Sequence, residues 1–430
     1  MIRISILGYI LIPVGLFLFL KKKDALLFAA IITCGLTGSS VLSLGDTALQ
    51  PSYYFALLWM VRRFISHTKN RIVLKIDAVS KLLLIFGILC TVSLIMPTIM
   101  SGKVTVLNVD DKIVPLSFSS SNITQLIYII FCIVFFFELR NWLKTNAYGD
   151  KIVKKIFKSS IIIVLIITIY QIIAYRIDLP FDILFKTGAH MDQTSAIFWD
   201  KRISGPCLEA SMFAYYLVAC LPILSENLNK TTDYLLLITV IVLGIMSLSS
   251  TFFVGLVLWL AYSLIKFLSK KKISCKKTLY LFTIISIGVI ITFSNTRALE
   301  LINDTINAFV LKLSLNSQSG IERNQSFRLL IDVFYQSPLL GVGFGSSRGK
   351  DLFSTWLANI GILGCISFLV FICRGLKNKH GSWVNATILV WICILTSVPE
   401  PYNLFIWIIM AVSMLPQHTI NNREINNEKN

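Results

Sequence analysis

The chain has 430 residues, of which 55% are hydrophobic and only 14% charged. Soluble domains carry about 25% charge, so a water-soluble globular protein is excluded. The net charge of +18 would by itself suit a nucleic-acid binder, but the basic residues collect in short stretches between apolar runs, as the positive-inside rule requires, and nucleic acid is not an expected partner.

A bilayer-spanning helix needs roughly 20 mostly apolar residues. About thirteen such runs are predicted, near 4–20, 25–43, 50–66, 79–99, 124–143, 159–175, 210–225, 234–249, 251–268, 278–294, 352–372, 383–397 and 403–416. The fold class expected is all-α and polytopic, with 12–13 transmembrane helices in one domain, 1–416. Placing Lys21–Lys23 in the cytoplasm puts 27 of the 40 Lys and Arg inside and leaves 13 outside, against 8 acidic residues inside and 14 outside. That asymmetry sets the expected orientation, with the amino terminus outside and a polar, disordered cytoplasmic tail at 417–430.

Three outer segments are then long enough to carry function: 101–122, 176–208 and 296–351. In the first, Val104-Thr-Val106 followed by Asp110-Asp111 predicts a small hairpin. The second leads into Lys201-Arg202-Ile-Ser204-Gly205-Pro206-Cys-Leu-Glu209-Ala-Ser211, where Gly205-Pro206 is expected to open the seventh span and Glu209 to lie in its first turn. Two readings of Glu209 and Arg202 stay open: a helix-end charge with a snorkelling cation, or a functional pair, since a carboxylate at membrane depth is costly unless paired or used.

The third segment is the longest. Ile302, Ile306, Phe309, Val310 and Leu313 recur at helical spacing and predict an amphipathic helix, either in the interface or against neighbouring helices. A second short helix is predicted over Ser326–Gln336, ending at Pro338, with Arg328, Asp332 and Tyr335 on one face and Phe327, Leu330, Ile331 and Phe334 elsewhere. A bridge from Arg328 to Asp332 would account for that arginine locally. Gly341-Val-Gly343-Phe-Gly345 follows, with no strand before it and no βαβ unit around it. It predicts a tight turn that brings backbone close to a ligand or a neighbouring helix, not a nucleotide site. The nine cysteines form no CxxC pair and read as small hydrophobes; the four histidines are scattered, so no metal and no cofactor is expected.

Three runs together resemble the O-antigen polymerase family: Arg202-x-x-Gly205-x-x-x-Glu209-x-Ser211, then Ser337-Pro-Leu-x-Gly341-x-Gly343-x-Gly345 with Arg328 upstream, then Gly361-Ile-Leu-Gly364. The architecture is similar over nearly the whole chain. The related O-antigen ligases carry a His-Asn-like pair eleven and ten residues before the Gly-x-x-Gly, and that spacing falls here on Lys350 and Asp351. The missing histidine favours polymerase over ligase.

The resemblance implies a GT-C-like membrane glycosyltransferase of the inner membrane. It would act on its outer face on undecaprenyl-diphosphate-linked oligosaccharide, with membrane lipid around it and a flippase and chain-length regulator as partners. Glu209, Arg202 and Arg328 are the expected catalytic residues. Lys201, Tyr335, Gly341, Gly343, Arg348 and Lys350 are the expected substrate-binding residues. A flippase or other transporter is the alternative from another class; it would be expected to show mid-span charges and short, similar loops.

Overall fold

The structure is a computed structural model, and it describes residues 2–21, 24–45, 47–70, 76–146, 148–188, 203–226, 228, 230–269, 318–397 and 399–415. Lys201, Arg202, the predicted span 278–294, the predicted amphipathic helix at 302–313 and the tail 417–430 lie outside the described residues.

Apolar runs become helices wherever nothing interrupts them. In chain order these are α1 (Ile6–Lys21), α2 (Ala25–Ile32), α3 (Pro51–Asn70), α4 (Ala78–Ser93), α5 (Met96–Ile99), α6 (Ser120–Thr145), α7 (Gly149–Ile177), α8 (Asp182–Phe185), α9 (Ala210–Ser225), α10 (Thr231–Met246), α11 (Ser250–Ser269), α12 (Gln318–Gln336), α13 (Leu352–Leu376), α14 (Ser382–Ser397) and α15 (Leu404–Ser413). Among the described residues four helical stretches are long and apolar enough to cross a bilayer: 78–99, 120–145, 149–177 and 352–376; six further apolar helices are shorter. The protein is therefore a mostly helical membrane protein.

The centre of the bundle is α9 and α15. Every residue from Phe213 to Leu224 is buried, and so is every residue of α15. A helix apolar on all sides is stable only where helices surround it; α9 packs on α14, α11 and α10, and α15 on α14 and α6. Lipid offers no hydrophobic drive between helices, so close fit and hydrogen bonds hold them together. Arg140, on α6, bridges to Asp77 (2.9 Å) and donates to the Met414 carbonyl (3.0 Å), while Trp142 Nε1 donates to Asp24 Oδ1 (3.0 Å). Asp77 also caps α4 by accepting from Ser80 N–H (2.9 Å). These contacts tie four helix ends at the face that carries the excess of lysine and arginine.

Two expectations need correction. The run 25–43 is not one span. Its helix stops at Ile32, and residues 33–41 continue as buried irregular backbone. Hydropathy does not distinguish the two, but Gly35 and Thr37-Gly38-Ser39-Ser40 do, because small hydroxyl residues let the chain approach others and supply its bonds. Ser39 Oγ donates to Phe185 O (2.7 Å), Ser40 Oγ to Thr187 O (2.7 Å), and Gly38 N–H to Pro206 O (2.8 Å). Non-helical backbone at membrane depth is tolerated when protein satisfies it in this way.

The amino terminus is not wholly helical either. β1 (Ile2–Ile4), β2 (Leu42–Leu44) and β3 (Thr47–Leu49) form a small antiparallel sheet with Ile4 opposite Leu42 and Leu42 opposite Leu49. The predicted hairpin is present as β4 (Thr105–Leu107) and β5 (Ile113–Pro115), with Val106 opposite Val114. Asn108 Oδ1 closes its turn by accepting from Asp110 and Lys112 N–H, both at 2.9 Å, and Asp111 takes the left-handed conformation.

Candidate functional site

The site is built on the segment Ser337–Asp351, between α12 and α13. α13 is broken: Gly361 has φ 62° and ψ −168°, a conformation open essentially to glycine alone. The break leaves amides and carbonyls without helical partners, and the glycine loop supplies them reciprocally. Val342 N–H donates to Ala358 O (2.8 Å) and Gly343 N–H to Asn359 O (3.0 Å); in return Ile362 N–H donates to Pro338 O (2.8 Å) and Leu363 N–H to Leu339 O (3.3 Å). The approach demands glycine on both sides. A Cβ on Gly341 would sit 2.3 Å from the Asn359 carbonyl carbon, and one on Gly361 would sit 2.3 Å from Leu339 O. Of the two readings open for the glycine loop, contact with a neighbouring helix is the one observed, and the Gly343 amide is committed to it.

Two buried asparagines fix the rest of the loop. Asn359 (1% exposed) accepts from Ser347 N–H (2.9 Å) and donates to Ser347 O (2.7 Å). Asn122, fully buried near the start of α6, donates to Phe344 O (2.7 Å) and Ser346 Oγ (2.8 Å) and accepts from Ser119 N–H (2.9 Å). Arg348 N–H donates to Leu107 O on the hairpin (2.9 Å), and Gly349 N–H to Thr355 Oγ1 (3.0 Å). With these backbone groups satisfied the loop is held in place, with Arg348 and Lys350 two residues apart at its end.

Arg348 forms an ion pair with Glu400, and Lys350 with Asp111 of the hairpin. Glu400 stands between Pro399 and Pro401 in the connection from α14 to α15. Trp407 Nε1 holds that connection through the Pro401 carbonyl (2.9 Å), and Tyr402 OH donates to Gln125 Oε1 (3.0 Å). The Glu400 carboxylate raises the Arg348 pKa above its ordinary value against the opposing effect of burial, with Tyr402, Glu209 and Asp111 adding to it. So Glu209, Arg348, Glu400, Asp111 and Lys350 share one end of the bundle, the end opposite to Asp77 and Arg140.

Glu209 occupies the N-cap position of α9, with no capping bond to its side chain, and lies just before the first turn; the helix opens four residues later than Gly205-Pro206 suggests. Gly205 is held instead in a turn with φ 53° by Gln171 Oε1, which accepts from the Ser204 and Gly205 amides (3.2 and 2.8 Å). The Glu209 side chain is exposed and accepts from Ser211 Oγ (3.0 Å). Nearby, Lys186 is 2% exposed and donates to Ser204 Oγ (2.6 Å); burial pushes its ammonium down to about 7, with Asp182 opposing the shift.

Arg328, Asp332 and Tyr335 lie together on the exposed face of α12, as their spacing predicts, while Leu330 and Val333 are buried. Arg328 makes no ion pair with Asp332 or with any other described residue. Tyr335 is 72% exposed. Neither is joined by a hydrogen bond to the Arg348 cluster among the described residues.

Two cavities flank the loop. One, of about 180 Å³, lies between the hairpin, the start of α6 and residues 345–348, and is rimmed by hydroxyls and by Arg348. The other, of about 540 Å³, is a more open groove whose polar members include Arg323, Lys350 and Asp351 and whose apolar wall includes Phe327, Phe353 and Leu395. Glu400 escaped the sequence reading. The signal was a single carboxylate between two prolines in a short connection, a position where the backbone is too constrained to be a passive link. The chain matches no protein-family model and no curated protein.

Proposed function

We propose that the chain is an O-antigen polymerase-like glycosyltransferase of the inner membrane, GT-C-like in plan. It joins lipid-linked repeat units at the outer face, with undecaprenyl diphosphate as the leaving group. The observation that carries this reading is the set of charged groups about one well-bonded loop. Arg323, Lys350 and Asp351 line an apolar-walled groove beside it, and Arg348 pairs with Glu400 close to Glu209.

Outside the cytoplasm no sugar nucleotide is at hand, so the donor brings its own leaving group. In the groove the polyprenyl chain meets the apolar wall and the diphosphate meets the cations. The acceptor hydroxyl attacks the anomeric carbon, a carbon–oxygen bond forms, and the bond from that carbon to the diphosphate oxygen breaks, leaving its electron pair on the diphosphate. The acceptor proton passes to Glu209, which forms no ion pair among the described residues. Glu400 is engaged in its ion pair with Arg348. Developing charge on the diphosphate is met by Lys350 and Arg323, with Arg202, Arg328 and Lys201 adding positive field; guanidinium forks suit phosphate oxygens. The Lys350–Asp111 pair is solvent-exposed, and such pairs are worth about 0–1 kcal/mol, so Lys350 exchanges partners at little cost. Tyr335, with its ring in the open, stacks on sugar.

A transporter reading is weaker, because the broken α13 has its freed backbone groups filled by the chain's own loop and offers none to an ion. A ligase reading is weaker because Lys350 stands where a ligase histidine would. The test is a deletion strain. If the host is Gram-negative, its lipid A-core should carry a single repeat unit. A bare core with polymer accumulating on undecaprenyl diphosphate would make the protein a ligase, and unflipped units trapped inside would make it a flippase.

A further inference from the structure

The smaller cavity has a chemistry of its own. Its wall is hydroxyl and amide: Asn108 from the hairpin turn, Ser117 and Ser119 from the link to α6, and Ser346 from the loop. Its floor includes Val114 and Pro115, and its one ionic group is Arg348, whose charge Glu400 already balances. The turn amides occupy Asn108 Oδ1, which fixes the orientation of the side-chain amide. Its NH₂ group and the Ser117 hydroxyl make no hydrogen bond to any described residue. They are two polar groups at one cavity wall, the first held in place by the closed turn and the second exposed just after β5, and both are left to a ligand.

The size and character of the space restrict that ligand. A volume of about 180 Å³ is about six waters' share of the liquid, the scale of one sugar ring. Polar walls repel an acyl chain, and a single balanced cation is a poor host for a diphosphate. A neutral pyranose fits both limits, with C–H faces against Val114 and Pro115 and hydroxyls against Ser117 and the Asn108 amide. We infer that this cavity, between the hairpin and the start of α6, binds the terminal sugar of the acceptor and presents its hydroxyl beside Arg348. The assignment rests on the polymerase reading for the word acceptor; that a sugar binds there does not.

The experiment uses the full chain in proteoliposomes, with Cys373→Ser to remove the exposed thiol among the described residues, Cys275→Ser to remove the cysteine that lies outside them, and Ser117→Cys as the reporter. Maleimide labelling at position 117 is timed with and without the lipid-free repeat-unit oligosaccharide prepared from the host's own polymer. Labelling is expected to slow about fivefold or more with oligosaccharide and to be unchanged by inorganic pyrophosphate. Asn108→Asp keeps the turn acceptor but removes the amide donors, and should abolish the protection. Labelling that is indifferent to oligosaccharide, or slowed only by pyrophosphate, would overturn the sugar site. Protection by oligosaccharide in a protein that never extends a lipid-linked acceptor would keep the sugar site and overturn the polymerase reading.

Discussion

Arg348 and Arg328 pose different questions, although both are guanidiniums in the same outer segment. Arg348 has a carboxylate partner and Arg328 has none among the described residues. Removing Arg348 leaves Glu400 without its ion-pair partner, so Arg348→Ala should lower membrane abundance as well as polymer length. Glu400→Gln in the same chain should restore the abundance and not the polymer, if the guanidinium also serves the reaction. Arg328→Ala should leave abundance unchanged and slow turnover about a hundredfold, the equivalent of about 3 kcal/mol. Asp332→Ala should do neither, since no bridge joins the two. Quantitative immunoblots beside polymer-length profiles check all four; full polymer from Arg328→Ala would remove that residue from the site. Arg348, Lys350 and Glu209 were legible as single residues because charge is rare in such a chain. Glu400 was not, because its meaning comes from an arginine 52 residues away that sequence spacing cannot pair with it.

At the scale of elements, α13 shows what hydropathy conceals. Leu352–Ile372 reads as one unbroken apolar run, yet the helix is interrupted at Gly361 and bonded to the preceding loop. The lost signal is physical: side-chain polarity reports the surroundings of a helix, not whether its backbone bonds run within it. The same blindness made 25–43 look like a span. Glycines distinguish the cases by experiment. Gly102 also has a positive φ (70°), but a methyl group added there would meet nothing within 4 Å, so Gly102→Ala should cost only local strain, about 1 kcal/mol. Gly361→Ala adds a clash with the Leu339 carbonyl to a backbone conformation that costs a non-glycine residue about 1–3 kcal/mol. Thermal unfolding in detergent should show a drop of a few degrees at most for the first and failure to fold stably for the second. Equal effects would mean that the loop does not depend on the break.

For the molecule as a whole, the ion pairs fall at two ends. Asp77, Arg140 and Lys144 join at one, and Asp111, Lys350, Arg348 and Glu400 at the other. The split of basic residues predicts that the first end is cytoplasmic. Alkaline phosphatase fused after Asp110 should therefore be active, and fused after Asn378 inactive; the reverse result would invert the protein. That the chain is mostly helical, with several helices apolar enough to cross a membrane, was legible because it follows from apolar length, whereas the contacts between distant helices were not. Those contacts carry a consequence for synthesis. Asn122 takes its partner 222 residues further along, and at about 5–20 residues per second it waits on the order of 10–40 s for it. Glu400 comes still later, in the connection between α14 and α15. On the function proposed above, the nascent chain would stay inert until α13 to α15 are in place, so a ribosome that stopped early would leave behind no partly working enzyme to consume lipid-linked sugar.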